Sequence, residues 1–271
     1  MNTISDVAKA TNEVNIKRWN GFSELYHNCR PVPPAIIPKM ILSWLKRRPD
    51  TVVDIGSGTG LSTIIWDGIA ESVIGIEPNG DMRATAEKHV KAPGIIFQKG
   101  LSNETNLPSG CADVVTIATA FHWMDIDSTL AEVQRILKPG GVFAVFVGGY
   151  PSIIDWAVEK AYRDLSDKCA AISYSQAKPA THNGRKGISY LDAIQASGIF
   201  AYAKETACHH EESCTRQRLM DLTLTQGSIQ NARTIEPSLQ QDINAFSTLV
   251  QARCGEEFNV IFSYRLWIAV K

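Results

Sequence analysis

A run of glycines near residue 55 is the feature of the sequence best suited to holding a ligand. Residues 51–56 read TVVDIG, a β-branched run that predicts a strand, and Gly56, Gly58 and Gly60 follow at every second position. Glycines let backbone amides come close to a ligand, and a helix that starts beyond the turn favours a negative group such as a carboxylate. The same spacing also fits an ordinary glycine-rich turn, so the surrounding sequence has to decide.

A carboxylate at the end of the next predicted strand supplies that context. Glu77 ends the run 73–77 and precedes Pro78, and in this position a carboxylate can accept both hydroxyls of a ribose. The alternative is a solvated surface acid. Nicotinamide-dependent oxidoreductases also place an acid here, so Glu77 indicates an adenosine-type ligand without naming it. Two features argue against a dinucleotide ligand. Dinucleotide-binding folds have the glycine pattern GxGxxG, which differs from the spacing of Gly56, Gly58 and Gly60, and they usually have an apolar residue at the position of Asp54.

These candidate residues lie within a stretch where predicted strands and helices alternate. The predicted strands are 51–56, 73–77, 95–98, 113–118 and 142–147, and the predicted helices are 61–70, 82–89 and 130–137. Nearly every strand is apolar throughout, which is typical of a parallel sheet covered by helices on both faces. The predicted fold class is therefore α/β.

The alternation stops after residue 149, which divides the chain into four predicted parts. Residues 1–35 form an N-terminal helical lid segment, 36–150 the ligand-binding core, 151–185 a helical cap, and 186–271 the C-terminal completion of the core with a helical excursion. Within the last part we expect a helix at 190–197, a strand at 202–208, two helices between 215 and 252, and a final strand at 258–270.

The composition argues against several classes of partner. The 27 basic and 28 acidic residues nearly cancel, so no overall field draws the protein to nucleic acid or to an anionic membrane. No apolar stretch approaches the roughly 20 residues of a membrane-spanning helix. The six cysteines form no CxxC pair and the first residues lack the apolar stretch of a signal peptide, so we expect a cytoplasmic location. The spacing of Cys208, His209, His210 and Cys214 matches no standard zinc site, and no metal is predicted.

Several stretches of the chain carry a resemblance to a known family. They are VVDIGSGTG, VIGIEPNGDM, GLSNETNLPSGCADVVTIATAFHW and EVQRILKPGG, which cover about residues 50–147, and FSELYHNCRP looks like the family's Y-x-x-x-RP segment. The chain thus resembles the class I S-adenosylmethionine (SAM)-dependent methyltransferases, in particular the small-molecule group of ubiquinone/menaquinone-type and trans-aconitate-type enzymes. The resemblance implies a Rossmann-like, mostly parallel seven-stranded sheet with an antiparallel last strand and a helical cap. It also implies SAM as the cofactor, a small-molecule methyl acceptor and a monomer or homodimer.

The resemblance further implies roles for individual positions. The residues implied to contact the cofactor are Arg30 at the methionine carboxylate, Asp54, Gly56, Ser57, Gly58 and Gly60 in the glycine turn, Glu77 at the ribose, Pro78 and Met82 near the adenine, Leu101, Ser102 and Asn103 at the adenine edge, and Thr119, Phe121 and His122 beside the sulfonium. The alternative for Arg30 is a surface arginine. Relatives commonly have Ala-Glu or an Asp where this chain has Ser102 and Asn103, which leaves open the side chain that meets the adenine amino group.

The chemistry implied by this resemblance is a direct displacement, which needs aligned reacting atoms, exclusion of water and no metal. His122, in the segment AFHW, is the best-placed base for an acceptor hydroxyl or acidic carbon, and its alternative is to shape the pocket wall. The glycine spacing and Asp54 disfavour a nicotinamide-dependent oxidoreductase, whereas a non-catalytic SAM-binding regulator stays open. Nucleic-acid methylation ranks low because the chain lacks a basic patch and an NPPY-like element.

Overall fold

Seven strands form one sheet in the computed structural model, which describes residue 16, residues 19–176 and residues 189–271. The strands are β1 (Thr51–Ile55), β2 (Ser72–Ile76), β3 (Ile95–Gln98), β4 (Ala112–Ala118), β5 (Leu137–Gly148), β6 (Tyr202–Thr215) and β7 (Glu257–Val270). Their order across the sheet is β3-β2-β1-β4-β5-β7-β6. Strands β1 to β5 pair in parallel and β7 is antiparallel to both of its neighbours, which confirms the predicted α/β fold.

Helices cover both faces of this sheet. Those of the described residues are α1 (Ser23–Cys29), α2 (Ile36–Leu45), α3 (Gly80–His89), α4 (Ile126–Ile136), α5 (Trp156–Gln176), α6 (Tyr190–Ala196), α7 (Arg216–Leu224), α8 (Gly227–Ile235) and α9 (Leu239–Arg253). One core lies between the sheet and the helices α2, α5 and α7 to α9, and the other lies beneath α4 and α6. None of the helices in the described part of the chain combines the length and apolar character needed to span a membrane.

The central strands are apolar on both sides because they contribute to both cores. Neighbouring side chains along a strand point to opposite faces, so Val52 and Val114 enter one core while Val53 and Val115 enter the other. All four side chains are fully buried. This double burial explains why most residues of β1 and β4 are apolar in the sequence.

The strand order creates a crevice at the carboxyl edge of the sheet. From β1 the chain continues to β2 on one side, whereas β4 lies on the other side of β1. The loops after β1 and β4 therefore leave in opposite directions, and ligands of such sheets bind between them. This topology brings the glycine turn after β1, Glu77 after β2 and Thr119 after β4 to one edge.

The predicted helix at 61–70 is wrong, because the structure has only a short 3-10 turn there, Ile64–Trp66. The segment combines β-branched residues, which are poor helix formers, with Gly68, whose φ of 69° is left-handed and ends a helix. Two other predicted boundaries also move: β5 starts at Leu137, where 142 was predicted, and β6 continues to Thr215. The extra length of β6 comes from pairing with β7 along all of its residues.

The cap combines two separate parts of the chain. Of the predicted cap, 151–185, the structure describes the helix α5, while residues 177–185 lie outside the described residues. Helix α5 packs against α8 and α9 of the C-terminal excursion. That excursion has three helices where two were predicted. The Thr225 hydroxyl donates to the Leu222 carbonyl at the end of α7, and Pro237 lies between α8 and α9.

Candidate active site

A cavity of about 330 Å³ lies at the carboxyl edge of the sheet, which is a size typical of small-molecule sites. Its walls come from the ends of β1, β2, β4 and β5, the loop after β3, the N-terminal segment and the turn between α7 and α8. Most of the residues predicted from the sequence line it: Arg30, Gly56, Gly58, Glu77, Pro78, Met82, Leu101, Ser102, Asn103, Thr119 and His122. The fold therefore collects at one place residues that are far apart in sequence.

The glycine turn needs its glycines for conformation at two positions next to the cavity. Gly56 and Gly58 have φ values of 72° and 55°, a region in which other residues are strained. A Cβ atom on Gly56 would also lie 2.9 Å from the Cβ of Ala120. At Gly58 the space beyond the backbone is open, so a ligand can approach the turn closely there.

Asp54 lies beneath the turn and does not line the cavity. Its fully buried carboxylate accepts hydrogen bonds from the hydroxyls of Ser62, Thr63 and Thr116 at 2.6, 2.8 and 2.9 Å. Burial raises the pKa of this carboxyl, and the three hydroxyls oppose that effect. The predicted cofactor contact of Asp54 is therefore corrected to a supporting position, in which it ties the segment after the turn to β1 and β4.

Ser57 and Gly60 also belong to the turn without lining the main cavity. Ser57 faces a neighbouring cavity of about 80 Å³ that Arg30 and Tyr150 line as well. A Cβ atom on Gly60 would lie 2.8 Å from Val90 and 2.9 Å from the ring of Phe97. The prediction for Gly60 is corrected accordingly, because this glycine allows close packing against the neighbouring core and not the approach of a ligand.

Glu77 presents a buried carboxylate to the cavity at the end of β2. One oxygen accepts the backbone N–H of Asn79 at 2.7 Å and the other accepts that of Gly58 at 2.9 Å. Burial raises the pKa of Glu77 to about 7, although both hydrogen bonds act in the opposite direction. Each carboxylate oxygen has a second lone pair, so the pair of oxygens can still accept two hydroxyl donors from a ligand.

Arg30 also lines the cavity. Its guanidinium lies between the rings of Tyr26 and Tyr150, 4.7 and 5.1 Å from their centroids, and donates through Nη2 to the Thr225 carbonyl at 2.9 Å. The Nε atom is buried and has no hydrogen-bond partner. Within the described residues no carboxylate forms an ion pair with Arg30. A buried cation with a spare donor suits a negatively charged group of a ligand.

The loop after β3 forms the wall next to Pro78 and Met82. The Ser102 hydroxyl is hydrogen-bonded to that of Thr129 at 2.8 Å, which ties this loop to α4. Leu101 and Glu104 form a β-bridge that makes the loop tight. Asn103 is exposed and also lines the cavity. Ser102 is bonded to α4, so Asn103 is the better candidate for a polar contact with a ligand.

The segment after β4 divides its side chains between core and cavity. Phe121 is fully buried against Phe143 and Tyr190, so the predicted contact beside the sulfonium is corrected to a core position. The reason is the 3-10 turn Phe121–Trp123, which directs the first side chain inward and leaves His122 and Trp123 at the cavity. Thr119 precedes this turn with a φ of 52°, an uncommon value for a residue with a Cβ atom.

An aromatic wall around the cavity was not predicted. Trp19 contacts Tyr26 and Trp123 edge to face, with ring centroids 5.6 and 6.3 Å apart, and Tyr150 lines the cavity beyond them. Aromatic residues are common in cores, and only the tertiary structure shows that these four meet at one cavity.

The comparisons with known proteins agree with this fold and site. Residues 53–145 match a protein family described as a methyltransferase domain. A candidate methyltransferase of Dictyostelium discoideum is 26% identical over 206 residues, which cover 68% of this chain and 74% of that protein. A candidate S-adenosylmethionine-dependent methyltransferase of Saccharomyces cerevisiae is 29% identical over 143 residues, and the chain spans about half of its length, 47%.

A solved structure has the same fold over most of the chain. It is that of a candidate type II methyltransferase from Anaeromyxobacter dehalogenans, with a TM-score of 0.65, 18% sequence identity, and coverage of 89% of this chain and 97% of that one. The family match over residues 53–145, together with the sheet order and the glycine turn with Glu77, supports a class I SAM-dependent methyltransferase. The predicted family and cofactor are confirmed.

Proposed function

We propose that this protein transfers the methyl group of SAM to a small uncharged organic molecule inside the cavity. The observation that carries the proposal is that Glu77 and Arg30 line one cavity together with Gly56 and Gly58 of the glycine turn. A carboxylate suits the hydroxyls of a ribose, and an arginine suits the carboxylate of an amino acid. SAM has both groups, one at each end of its sulfonium.

The cofactor residues follow from this orientation. Glu77 accepts the ribose hydroxyls, Pro78, Met82, Leu101, Ser102 and Asn103 surround the adenine, Gly56, Ser57, Gly58 and Thr119 face the methionine part, and Arg30 binds its carboxylate. The open space at Gly58 and the unpartnered Nε atom of Arg30 support this fit. When bound, the cofactor supplies an electrophilic methyl group on its sulfonium.

The charge of the cavity restricts the acceptor. Among the described residues that line it, Glu77 is the only carboxylate and Arg30 the only arginine or lysine. With Glu77 at the ribose, no acid remains to hold a cationic amine, whereas Trp123 and Met124 offer an apolar wall. With Arg30 at the carboxylate of SAM, no arginine or lysine among these residues remains to hold an anionic acceptor either. A neutral acceptor with an apolar body matches these surroundings, and the small volume of the cavity favours a small molecule over a folded macromolecule.

The protein's part in the reaction is alignment, exclusion of water and removal of a proton. The aromatic residues Trp19, Trp123 and Tyr150 line the cavity, and their apolar rings favour the exclusion of water from it. His122 lines the same cavity and is the histidine in position to accept the proton of an acceptor hydroxyl or acidic carbon as the new bond forms. The six cysteines are all unpaired, which supports the prediction of a reducing compartment such as the cytoplasm.

Mass spectrometry of the protein purified under native conditions tests the cofactor. We expect SAM or S-adenosylhomocysteine to be released, and a nicotinamide dinucleotide in its place would overturn the proposal. If nothing copurifies, calorimetry with S-adenosylhomocysteine decides. Methyl-labelled SAM with a panel of phenols, carboxylic acids and amines then tests the acceptor class, and transfer to cationic amines or carboxylates alone would contradict the proposed restriction.

A further inference from the structure

The cavity of about 80 Å³ that Ser57 faces adjoins the main one, and we call it the second cavity. The two cavities share part of their walls, since both are lined by Tyr26, Arg30, Gly56, Gly58, Ala118, Thr119, Gly148 and Tyr150. Thr59 and Tyr264 line the second cavity and not the main one. Its volume is sufficient for several water molecules or for a small polar group of a ligand.

Three hydrogen-bond donors of residues that line the second cavity are unpaired. They are Nε of Arg30 and the hydroxyls of Thr59 and Tyr264; each of these atoms is buried and has no partner among the described residues. Buried polar groups are nearly always hydrogen-bonded, because an unpaired one costs free energy. The hydroxyl of Ser57 is also unpaired, but it lies towards Gly75 of β2. The other three donors indicate that an acceptor arrives with a ligand.

The fold holds Thr59 and Tyr264 in place from different sides. Strand β7 runs antiparallel to β5, and Tyr264 lies opposite Gly148, the last residue of β5, so it reaches the carboxyl edge of the sheet. Thr59 belongs to the glycine turn, and its carbonyl accepts Nδ1 of His27 at 3.1 Å. Residues about 200 positions apart therefore meet at one small cavity.

The unpaired donors suit an anionic oxygen. A guanidinium Nε–H can only donate, and a phenol or alcohol hydroxyl can donate as well. Burial raises the pKa of Tyr264, which keeps its hydroxyl protonated. Among the described residues that line the second cavity there is no aspartate or glutamate, and Arg30 is the only arginine or lysine. These surroundings match one carboxylate group.

We propose that Tyr264 and Thr59 belong to the cofactor site, where their hydroxyls donate, together with Arg30, to the carboxylate of SAM. The inference rests on the proposed function, which places that carboxylate at Arg30. It adds a side chain of the last strand, β7, to the residues that hold the cofactor. The two hydroxyls then favour ligands that carry the amino-acid part, and a ligand without this carboxylate gains nothing from them.

Conservative substitutions remove each hydroxyl and keep the shape of the side chain. Tyr264→Phe and Thr59→Val each delete a buried donor that has no partner in the described part of the free protein. The stability of the free protein should then stay the same or increase, because the cost of the unpaired group disappears. Tyr162→Phe is the matched control, since Tyr162 is another buried tyrosine and lines neither cavity.

Calorimetry with two ligands is the measurement. We expect Tyr264→Phe to raise the Kd for S-adenosylhomocysteine about tenfold, and Thr59→Val about fivefold, because each loses a hydrogen bond to a charged group. The Kd for 5′-methylthioadenosine, which has no carboxylate, should stay unchanged in both variants. The melting temperature of the free protein should stay the same or rise. Tyr162→Phe should change neither Kd.

The outcomes distinguish this inference from the proposed function. If the wild type does not bind S-adenosylhomocysteine, the proposed function is wrong and the inference falls with it. If the wild type binds it and neither Tyr264→Phe nor Thr59→Val binds it more weakly, the cofactor assignment stands and the role of the two hydroxyls is overturned. Equal losses for both ligands with a lower melting temperature would also overturn it, since the side chains would then only support the fold. If Tyr264→Phe does not fold, Thr59→Val decides.

Discussion

One carboxylate oxygen of Glu77 accepts the backbone N–H of Gly58 at 2.9 Å, which fastens the end of β2 to the glycine turn after β1. The same carboxylate therefore shapes the turn and lines the cavity in which we propose that it binds the ribose. A ligand that binds here meets an acid whose position is already fixed by two backbone donors.

Replacing Glu77 should weaken cofactor binding far more than it slows the chemistry. Hydrogen bonds to a charged group contribute roughly 1.5 to 3 kcal/mol, so Glu77→Ala should raise the Kd for S-adenosylhomocysteine at least about tenfold. Glu77→Gln keeps one acceptor oxygen and should fall between Glu77→Ala and the wild type. Turnover at saturating SAM should change less, because the ribose lies away from the transferred methyl group. An unchanged Kd by calorimetry in folded Glu77→Ala would show that the ribose assignment is wrong.

Cofactor affinity should rise with pH up to neutrality. Burial raises the pKa of Glu77 to about 7 in the free protein, whereas ribose hydroxyls donate to the ionised carboxylate. Binding then requires loss of a proton below this pKa, so affinity should increase by about tenfold per pH unit and level off above about pH 7. Glu77→Gln cannot ionise and should bind with no such dependence. A flat wild-type profile from pH 5.5 to 8 would contradict the assignment.

The raised pKa of Glu77 has the opposite effect on the folding stability of the cofactor-free protein, which should fall as pH rises. Between about pH 4.5 and 7 the folded protein keeps the proton on Glu77 while the unfolded chain has lost it. The contribution of Glu77 to stability therefore falls as pH rises through this range, and bound cofactor should remove that loss.

Substitution of His122 should affect turnover and leave cofactor binding nearly unchanged. If its imidazole accepts the acceptor's proton, His122→Ala should lower kcat by roughly 100-fold, the usual contribution of a general base. Calorimetry with S-adenosylhomocysteine provides the control measurement. A kcat within a few-fold of the wild type would assign His122 to the pocket wall alone.

A ligand without the amino-acid part of SAM provides a matched control for Arg30. Arg30→Ala removes the guanidinium held between Tyr26 and Tyr150, so binding of S-adenosylhomocysteine should weaken by roughly tenfold or more. Binding of 5′-methylthioadenosine, which has no carboxylate, should change little. Equal losses for the two ligands would mean that Arg30 supports the fold of the site and not the carboxylate.

Asp113 should make the fold sensitive to acid. It is fully buried at the start of β4 and accepts hydrogen bonds from Arg47, Lys138 and the backbone N–H of Thr51. Burial opposes ionisation, but these donors hold the pKa of Asp113 at about 2. The unfolded pKa is 3.8, so the group contributes about 2 kcal/mol above pH 4, which is lost as pH falls towards 2. Asp113→Asn should lower stability to urea at pH 7 and converge with the wild type near pH 2.

The central half of the sheet and many of the residues that line the cavity could be predicted because local patterns determine their positions. The run TVVDIG, the spaced glycines and Glu77 each carry information in sequence order, and the structure brings them to one cavity. The position of Phe121 depends instead on a 3-10 turn whose direction no local pattern specifies.

Contacts between segments that are distant in sequence could not be predicted from local sequence patterns. The helix predicted at 61–70 carries apolar spacing, but its serine and threonine hydroxyls bond to Asp54 and Gly68 ends the turn. The contact of Trp19 with Trp123 and the hydrogen bond from Asn79 to the Ile16 carbonyl join residues at least 63 positions apart. Such pairs become neighbours only after the sheet has formed.

The position of β7 within the sheet determines the order in which the molecule can be assembled during synthesis. Strand β7 lies between β5 and β6 and pairs with both of them. Until residues 257–270 have left the ribosome, the edge of β5 has no partner, and an unpaired edge binds other strands readily. Pairing over so long a sequence separation is slow and leaves the nascent chain open to aggregation.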